Sequence, residues 1–173
     1  MERHDAPELI ETPRLRGERL REDHLEPLAA LLAEPRVGET LGGVSDREQT
    51  ERILRWHAEH WEREGFGYWL FRDARTGVAV GRGGLHRTFV AGREEVEVGW
   101  AVTPERWGEG LGTEMGAAAL EVAFGALALR EVVAFSLPHN AASRRVMDKL
   151  GFTFELETDY KGWPHVLYRL RAG

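Results

Sequence analysis

Three glycines at alternate positions open the stretch of sequence best suited to bind a ligand. Gly108, Gly110 and Gly112 lie in ERWGEGLGTEMGAAALEVAF, and a helical pattern follows them at once. Glycine lets a ligand come close to the backbone, and the N-terminus of a helix presents free N–H groups that bind phosphate. The spacing therefore predicts a phosphate site, with an ordinary tight turn as the alternative.

Two common nucleotide motifs do not explain this loop. The dinucleotide fingerprint is G-x-G-x-x-G near the start of a βαβ unit, whereas the spacing here is G-x-G-x-G in the second half of the chain. The Walker loop places Lys and then Ser or Thr after its last glycine, but no lysine precedes Thr113 in this loop. We therefore predict neither a dinucleotide site nor a Walker site.

A strictly alternating stretch, EEVEVGWAV, supplies a candidate general base. Its apolar residues face one way, and the other face carries Glu95, Glu97, Gly99 and Ala101. Because Gly99 and Ala101 are small, we expect room for a substrate beside Glu97. The alternative is that Glu97 is a solvated strand carboxylate, as we expect for Glu95.

Other polar clusters have simpler interpretations. Asn140 and Ser143 lie three residues apart at a predicted helix start, where Asn is a preferred N-cap. His57 and His60 lack the H-E-x-x-H spacing and a third ligand, so we predict no metal site. The acidic residues of 155–159 indicate a solvated strand edge, with a substrate-attracting rim as the alternative.

Composition and charge limit the class of protein. The length of 173 residues predicts a single domain, residues 1–173, with one core. The net charge of −6 argues against a nucleic-acid partner and mildly favours cationic substrates. The sequence has no cysteine and no apolar run long enough to span a membrane. Since the charged segment MERHDAPELIETPRL also lacks an apolar signal core, we expect a cytoplasmic protein without a membrane partner.

The remaining pattern predicts an α/β fold in the order β-α-α-β-β-β-α-β-α-β-β, with a central mixed, largely antiparallel sheet flanked by helices. Strands are predicted at residues 15–20 and in YWLFRD, GVAVGRGGLHRTF, EEVEVGWAV, EVVAFSL, FTFELE and HVLYRLR. The first two helices are predicted in EDHLEPLAALLAE and at about 46–64, where Ser45 and Glu48 form a predicted capping box. Two more are predicted from the glycine loop to about 129 and from Asn140 through 150. PRVGETLGGVS and TDYKGWP are predicted loops, and the glycines of 81–84 indicate a bulge.

The ordered set of segments resembles the GNAT superfamily of N-acetyltransferases. Residues 107–112 match the family signature Q/R-x-x-G-x-G/A, with Trp107 at the first position, which is typical of the RimJ/RimL-like branch. NAASRRVMDKLGF is the closest match to that branch, and EVEVGWAV and HVLYRLR are similar to its strands. The opening ETPRLRGERLREDHLEPLAALL is similar too, although Gly17 and Glu18 replace an apolar-basic pair. The resemblance covers essentially the whole chain and implies an acyltransferase with acetyl-CoA as donor and no metal.

The resemblance also implies roles for individual residues. Glu97 is the expected base, the backbone N–H of Val102 is the expected oxyanion donor, and Ser143 is the expected donor to the departing sulfur. Arg106 or Arg145 is expected to add a positive charge beside the pyrophosphate, and the sequence does not choose between them. The residues implied to bind the cofactor are Trp100, Ala101, Val102, Trp107, Gly108, Glu109, Gly110, Leu111, Gly112, Thr113, Asn140 and Ser143.

The sequence leaves the acceptor open. We expect an amine-bearing small molecule or a peptide N-terminus as partner, with an aminoglycoside or other polyamine as the runner-up within the enzyme class. A non-catalytic sensor that binds acyl-CoA is the alternative class. The loops expected to meet the acceptor, residues 36–45 and 158–164, carry no motif that names a substrate. The family also leads us to expect a homodimer.

Overall fold

A computed structural model of the protein describes residues 4–173, so the first three residues of the charged N-terminal segment lie outside the described range. The strands are β1 (Leu9–Glu11), β2 (Leu15–Arg19), β3 (Tyr68–Asp73), β4 (Ala79–Val90), β5 (Arg93–Val102), β6 (Glu131–Ser136), β7 (Thr153–Tyr160) and β8 (Trp163–Arg171). The helices are α1 (Leu25–Ala33), α2 (Pro35–Leu41), α3 (Arg47–Glu64), α4 (Leu111–Phe124) and α5 (Ala141–Lys149). None of the helices in residues 4–173 is long and apolar enough to cross a bilayer.

The strands form one sheet that opens in its middle. Their order is β1-β2-β3-β4-β5-β6-β8-β7, and all neighbours are antiparallel except β5 and β6. In the described part of the chain, parallel β5 and β6 pair at a single position, Glu97 with Val133. Beyond it, β5 stays paired with β4 as far as Val102, and β6 stays paired with β8 as far as Ser136. The two halves of the sheet therefore leave a gap between the C-terminal ends of β5 and β6.

Helices cover both faces of the sheet. On one face, Met115 of α4 and Met147 of α5 are fully buried in a cluster that includes Val98. On the other face, Leu28 of α1 and Leu54 of α3 pack in a second cluster against β3. The alternation along β5 therefore directs its valines toward α4 and its Glu97 side toward α3.

This architecture confirms the predicted α/β class with a mixed, largely antiparallel sheet. Two elements were not predicted: β1 pairs with β2, and α2 occupies a segment that was expected to be a loop. The loop prediction was wrong because Pro35 suits the first turn of a helix and Gly42 ends the helix with a φ of 83°. Buried Val37 then holds α2 against its neighbours.

Two local predictions differ from the structure by small shifts. The capping box of α3 is formed by Asp46 and Gln49, not by Ser45 and Glu48, because the two side chains each accept the other residue's backbone N–H at 2.8 Å. The predicted bulge is present where β4 passes β3, with the extra residue at Val80, one position before the glycine cluster.

Two element ends also differ from prediction. Helix α4 ends at Phe124 instead of about 129, because Gly125 leaves the helical conformation and Ala126 is exposed. Strands β7 and β8 extend through most of the segment predicted as a loop. Their turn consists of Lys161 and Gly162, which have φ of 49° and 80°. Positive φ at both central residues is the geometry that suits a tight hairpin.

Candidate active site

The glycine loop presents free backbone N–H groups at the start of α4. Gly108 and Gly110 have φ of 80° and 81°, a conformation that glycine adopts more readily than other residues. A Cβ atom on Gly108 would meet no atom within 4 Å, so the loop is open on that side. Gly110 is the N-cap of α4 and provides no side-chain cap. Uncapped N–H groups at a helix start attract anions.

A cavity of about 420 Å³ lies against this loop, and we name it the glycine-loop cavity. All the residues predicted to bind the cofactor line it except Glu109. The role of Glu109 as a cofactor contact stays a prediction. Its carboxylate pairs with Arg106 at 2.7 Å and its carbonyl accepts a hydrogen bond from Arg14 at 2.8 Å. Glu109 therefore holds the loop in shape from outside the cavity.

The unpaired positive charges of the glycine-loop cavity come from α5. Arg145 and Lys149 both line the cavity, and neither forms an ion pair within residues 4–173. Arg106 also lines it, but its guanidinium is held by Asp73 at 3.0 Å and by Glu109. The sequence did not choose between Arg106 and Arg145 as the cation beside the pyrophosphate. In the structure, Arg145 is the one with an unpaired guanidinium.

Trp107, at the first position of the loop signature, joins the loop to the end of β5. Its indole Nε1 donates to the carbonyl of Val102 at 2.7 Å. The following residue, Thr103, donates its N–H to Val80 of β4 at 2.8 Å. Because N–H groups alternate in direction along a strand, the N–H of Val102 points away from β4 and toward the gap in the sheet.

A second cavity, of about 730 Å³, lies on the α3 side of the sheet. We name it the aromatic cavity, because its wall includes Trp56, Tyr68, Phe135, Tyr160 and Trp163. The two loops that the sequence assigned to the acceptor, residues 36–45 and 158–164, both contribute to this wall. The 158–164 segment thus lies at the aromatic cavity, whereas the 36–45 segment also contributes Val37 and Thr40 to the glycine-loop cavity.

Glu97 lines the aromatic cavity and is buried, with 9% of its surface exposed. Its Oε2 lies 3.0 Å from Nε2 of His86, the residue directly opposite it on β4. The Nδ1 of His86 is buried and has no hydrogen-bond partner in the described residues. Glu97 is therefore a buried, paired carboxylate and not a solvated one.

The space that we expected beside Glu97 is occupied by Tyr68. A Cβ atom on Gly99 would collide with the Tyr68 hydroxyl, and Ala101 is buried beneath α1 and α2. The room beside Glu97 is instead provided by the rest of the aromatic cavity, which Glu97 and Gly99 both line. The lack of a side chain at Gly99 leaves room for the Tyr68 ring.

Tyr68 and the histidine stacked on it, His57, are both neutral at pH 7. The rings of His57 and Tyr68 stack with centroids 4.6 Å apart. Burial lowers the pKa of His57 well below its ordinary value, and the nearby charge of Arg82 lowers it further. Burial raises the pKa of Tyr68, and the negative charge of Glu97 raises it further. Both groups can therefore form hydrogen bonds without adding charge to the cavity.

The second histidine of the WHAEHW segment has a structural role. The Nδ1 of His60 lies 2.8 Å from the carbonyl of Phe66, and its Nε2 accepts the N–H of Arg87 at 3.0 Å. Burial lowers the pKa of His60 to about 4. Within residues 4–173, no group of three or more His, Asp or Glu side chains is arranged to hold a metal.

The two cavities meet beside β5, where Thr40, Trp100, Asn140 and Ser143 line both of them. The Oδ1 of Asn140 accepts the backbone N–H of Ser143 at 3.1 Å, so Asn140 caps α5 as expected. The hydroxyl of Ser143 has no hydrogen-bond partner in the part of the chain that the structure describes. It is therefore available at the junction of the two cavities.

The acidic run near the end of the chain lies away from both cavities. Glu155, Glu157 and Asp159 line neither of them. Glu155 pairs with Arg169 at 2.9 Å, and Glu95 pairs with the same arginine at 2.8 Å. Glu95 was expected to be solvated, but it is buried because this arginine neutralises it. These carboxylates stabilise the sheet, and the substrate-attracting rim is not supported.

Sequence reasoning missed side chains that complete the aromatic cavity, notably His86 and Arg82 on β4 and Trp56 on α3. A signal for His86 was present. The residues Ala91 and Gly92 form a two-residue turn, and counting back from it places His86 opposite Glu97. No local pattern indicated Arg82 or Trp56, because their positions depend on packing between distant elements.

Comparisons with known proteins agree with this geometry. A model of the acetyltransferase (GNAT) domain matches residues 14–153. The uncharacterized N-acetyltransferase YoaA of Bacillus subtilis is 24% identical over 149 residues, which cover 85% of this chain and 84% of YoaA. An acetyltransferase structure from Agrobacterium tumefaciens is similar with a TM-score of 0.83 and 24% identity, covering 95% of this chain and 94% of that one. The structure of ribosomal-protein-S5-alanine acetyltransferase from Vibrio fischeri is similar with a TM-score of 0.76 and 17% identity, covering 94% and 96% of the two chains. The chain therefore belongs to the GNAT family of acetyltransferases.

Proposed function

We propose that the protein transfers an acetyl group from acetyl-CoA to a primary amine. One observation carries the proposal: a cavity with uncapped helix N–H groups meets a cavity with a buried carboxylate at the gap between β5 and β6. The first cavity suits a phosphate-bearing donor, and the second suits an amine that must lose a proton. Their junction is where the two reactants would come together.

The residues of the glycine-loop cavity fit the pyrophosphate of coenzyme A. The N–H groups of Leu111, Gly112 and Thr113 would donate to phosphate oxygens, aided by the positive end of the α4 dipole. Arg145 and Lys149 add unpaired positive charge at the same cavity. When bound, acetyl-CoA supplies an acetyl thioester that an amine can attack directly. The free edge of β5 offers backbone N–H and C=O groups to the chain that carries this thioester.

Glu97 would accept the proton that the amine loses, directly or through a water. At pH 7 a lysine-like amine with a pKa of about 10.4 is neutral in roughly one molecule in 2500, and an α-amine near 7.7 in about one in six. A general base typically contributes about 10²–10⁴ in rate. The contact between Nε2 of His86 and Oε2 of Glu97, at 3.0 Å, would hold the carboxylate in one orientation.

Two donors near the junction would stabilise charge as it develops. The N–H of Val102 faces the gap and would donate to the acetyl carbonyl oxygen, as in an oxyanion hole. The free hydroxyl of Ser143 would donate to the departing sulfur. A hydrogen bond would suffice there, since a thiol with a pKa of about 8.5 is already a fair leaving group.

The proposal also covers the extent of the domain, the acceptor, the location and the oligomeric state. We propose that residues 1–173 form one acetyltransferase domain, in support of which β1 and β8 belong to the same sheet. The acceptor is a small-molecule amine or a peptide N-terminus, and the named activity of the Vibrio fischeri protein supports the second. A cytoplasmic location and a homodimer are proposed from the sequence and the family alone.

Mass spectrometry of an amine and peptide panel incubated with acetyl-CoA tests the proposed reaction. We expect acetylated product from at least one primary amine, together with release of one free CoA thiol per product. Omission of each acceptor in turn is the control, since hydrolysis would release thiol without product. Tight binding of acetyl-CoA with no product from any amine would instead indicate a non-catalytic sensor.

A further inference from the structure

The aromatic cavity has a positive charge that the proposed acetyl transfer does not use. The charged residues of its wall are Arg52, Arg82, Arg87, Glu97 and Lys161. Arg52 pairs with Glu48 at 2.9 Å, and Arg87 pairs with Glu64 at 2.6 Å. Arg82 and Lys161 form no ion pair with any carboxylate in residues 4–173. The cavity thus has two uncompensated cations and one carboxylate, which is already held by a histidine.

Arg82 is fixed in the cavity by an aromatic ring. Its guanidinium carbon lies 4.9 Å from the centroid of the Tyr68 ring, a distance typical of a cation–π contact. Tyr68 stands opposite Gly84 on β4, which is two residues from His86 on the same face. Arg82 and Glu97 therefore line the same cavity from neighbouring strands, β4 and β5. One small molecule that carries an amine and a carboxylate can meet both side chains there.

Lys161 provides the second cation from the turn between β7 and β8. Its Nζ lies 5.2 Å from the centroid of the Tyr160 ring, which also lines the cavity. Burial lowers the pKa of His57 most strongly, and the charges of Arg82 and, to a smaller extent, Lys161 add to this effect. The two cations therefore act on the same wall of the cavity, although they belong to distant parts of the chain.

We propose, on the basis of the proposed function, that the acceptor is a small amine that also carries a carboxylate and a flat aromatic body. The Arg82 guanidinium and Lys161 bind the carboxylate, and Glu97 faces the amine. A planar guanidinium matches the two oxygens of a carboxylate. Exposed Trp56 and Trp163 provide flat apolar surfaces for the ring. The acceptor class is thus an aromatic amino acid or a close analogue.

The local charge reverses the expectation from the whole sequence. The net charge of −6 mildly favoured cationic substrates, but a polyamine or aminoglycoside would bring further positive charges next to Arg82 and Lys161. Like charges within a partly desolvated cavity repel each other. Polyamines and aminoglycosides are therefore disfavoured as acceptors, and an acceptor with an anionic group is favoured.

The test compares L-tryptophan with tryptamine, which share the ring and the amine and differ in the carboxylate. We expect Arg82→Met to lower kcat/KM for tryptophan about 10- to 100-fold, mainly through KM, as for loss of a charged hydrogen-bonded pair. The same substitution should change kcat/KM for tryptamine by less than about threefold, because tryptamine makes no such pair. Each ratio compares two enzymes on one acceptor, so the different amine pKa values of the acceptors cancel.

Controls keep this comparison specific. Arg55→Met removes an exposed arginine of α3 that does not line the cavity, and it should leave both acceptors unchanged. Arg82→Lys should recover part of the kcat/KM for tryptophan, because lysine restores the charge but lacks the planar guanidinium that binds both carboxylate oxygens. The preference of the unmodified enzyme for tryptophan over tryptamine and spermidine tests the proposal without any variant.

The outcomes separate this proposal from the acetyl transfer on which it rests. Equal losses on both acceptors, or a preference for spermidine, would overturn the carboxylate subsite and leave the acetyl transfer standing. If coenzyme A binds but no amine is acetylated, the transfer itself is overturned. Calorimetry with N-acetyltryptophan and CoA then still tests the subsite, since binding that Arg82→Met weakens supports it and absence of binding overturns it.

Discussion

The glycine-loop cavity and the aromatic cavity share β5, but they are built from different groups. The first combines most of the continuous segment 107–113 with residues of α2, β5 and α5, among them the cations Arg145 and Lys149. The second is lined by side chains from many elements, including α3, β3, β4, β5, β6 and the hairpin of β7 and β8. Backbone N–H groups recognise phosphate in any protein, whereas a particular set of side chains recognises a particular molecule. Under the proposed function, the first cavity is a donor site of a general kind and the second is an acceptor site particular to this protein.

The largest expected effect is in the aromatic cavity, on Glu97. Glu97→Gln keeps the shape and removes the basicity, so kcat/KM at neutral pH should fall by about 10²–10⁴. Much of the loss should be recovered at high pH, where the amine is neutral without help. Recovery should begin at lower pH for an α-amine (pKa about 7.7) than for a lysine-like amine (about 10.4). Steady-state kinetics, with kcat/KM measured across a range of pH, test this prediction.

Glu94→Gln, an exposed position on the same strand, is the matched control and should leave the kinetics unchanged. A loss that is equal at every pH would mean that Glu97 positions the acceptor. No loss at all would mean that water takes the proton, and the contrast between the two cavities would then lose its chemical basis.

The next largest effect should be on the donor side, at Gly112. Its position has ordinary helical geometry, and a Cβ there would only touch Trp100 at 3.4 Å and Val146 at 3.7 Å. Gly112→Asp should therefore fold, since acidic residues suit the first turn of a helix. Its charge should weaken CoA binding on the order of 100-fold by repelling phosphate. Calorimetry and thermal melting measure the two properties separately.

Gly112→Ala is the control for size, and it should bind CoA more tightly than Gly112→Asp. Gly110 is a poorer test position, because its φ of 81° would strain any replacement. Unchanged CoA affinity in Gly112→Asp would show that phosphate does not bind at this helix start.

A smaller effect should follow from removing the support of Glu97. His86→Leu deletes the polar contact with Glu97 at 3.0 Å and should lower kcat about tenfold with little change in KM for acetyl-CoA. His86→Gln retains a donor and should recover part of the rate. If both variants lost activity equally and also melted early, His86 would be a packing residue alone.

The smallest effect should lie at the junction of the cavities. Ser143→Ala should lower kcat only about two- to tenfold, as for one neutral hydrogen bond, and should leave CoA binding nearly unchanged. The bond strengthens as thiolate forms, so it favours the transition state over the bound state. An effect on CoA affinity alone would make Ser143 a donor-side contact.

These two cavities also differ in how far the sequence predicts them. The glycine loop is contiguous, so its spacing and the following helix were sufficient to indicate an anion site. The sequence could not show that the Tyr68 ring of β3 lies directly over Gly99, because that contact joins distant parts of the chain. Arg82 and Lys161 could not be connected from sequence, since only the folded sheet and the β7–β8 turn bring them to one wall.

The same distinction holds for the fold. Alternation in β5 and the caps of α3 and α5 are local signals, so class and sheet type were predictable. The glycines of PRVGETLGGVS indicated a loop instead of helix α2. The stability of α2 depends on burying Val37 against other elements, which the local sequence does not show. Net charge is a weak guide to an acceptor because it sums the whole surface, whereas a cavity responds to the few charges in its own wall.

The single pairing of Glu97 with Val133 makes β5 an edge strand in the interior of the molecule. Unpaired edges at a protein's rim invite strands of other chains and so promote aggregation. Here the open edge lies within the sheet, with α4 packed against β5 and α5 against β6, and not at the rim of the molecule. The unpaired backbone N–H and C=O groups of β5 can therefore bind a thin, extended ligand without promoting aggregation.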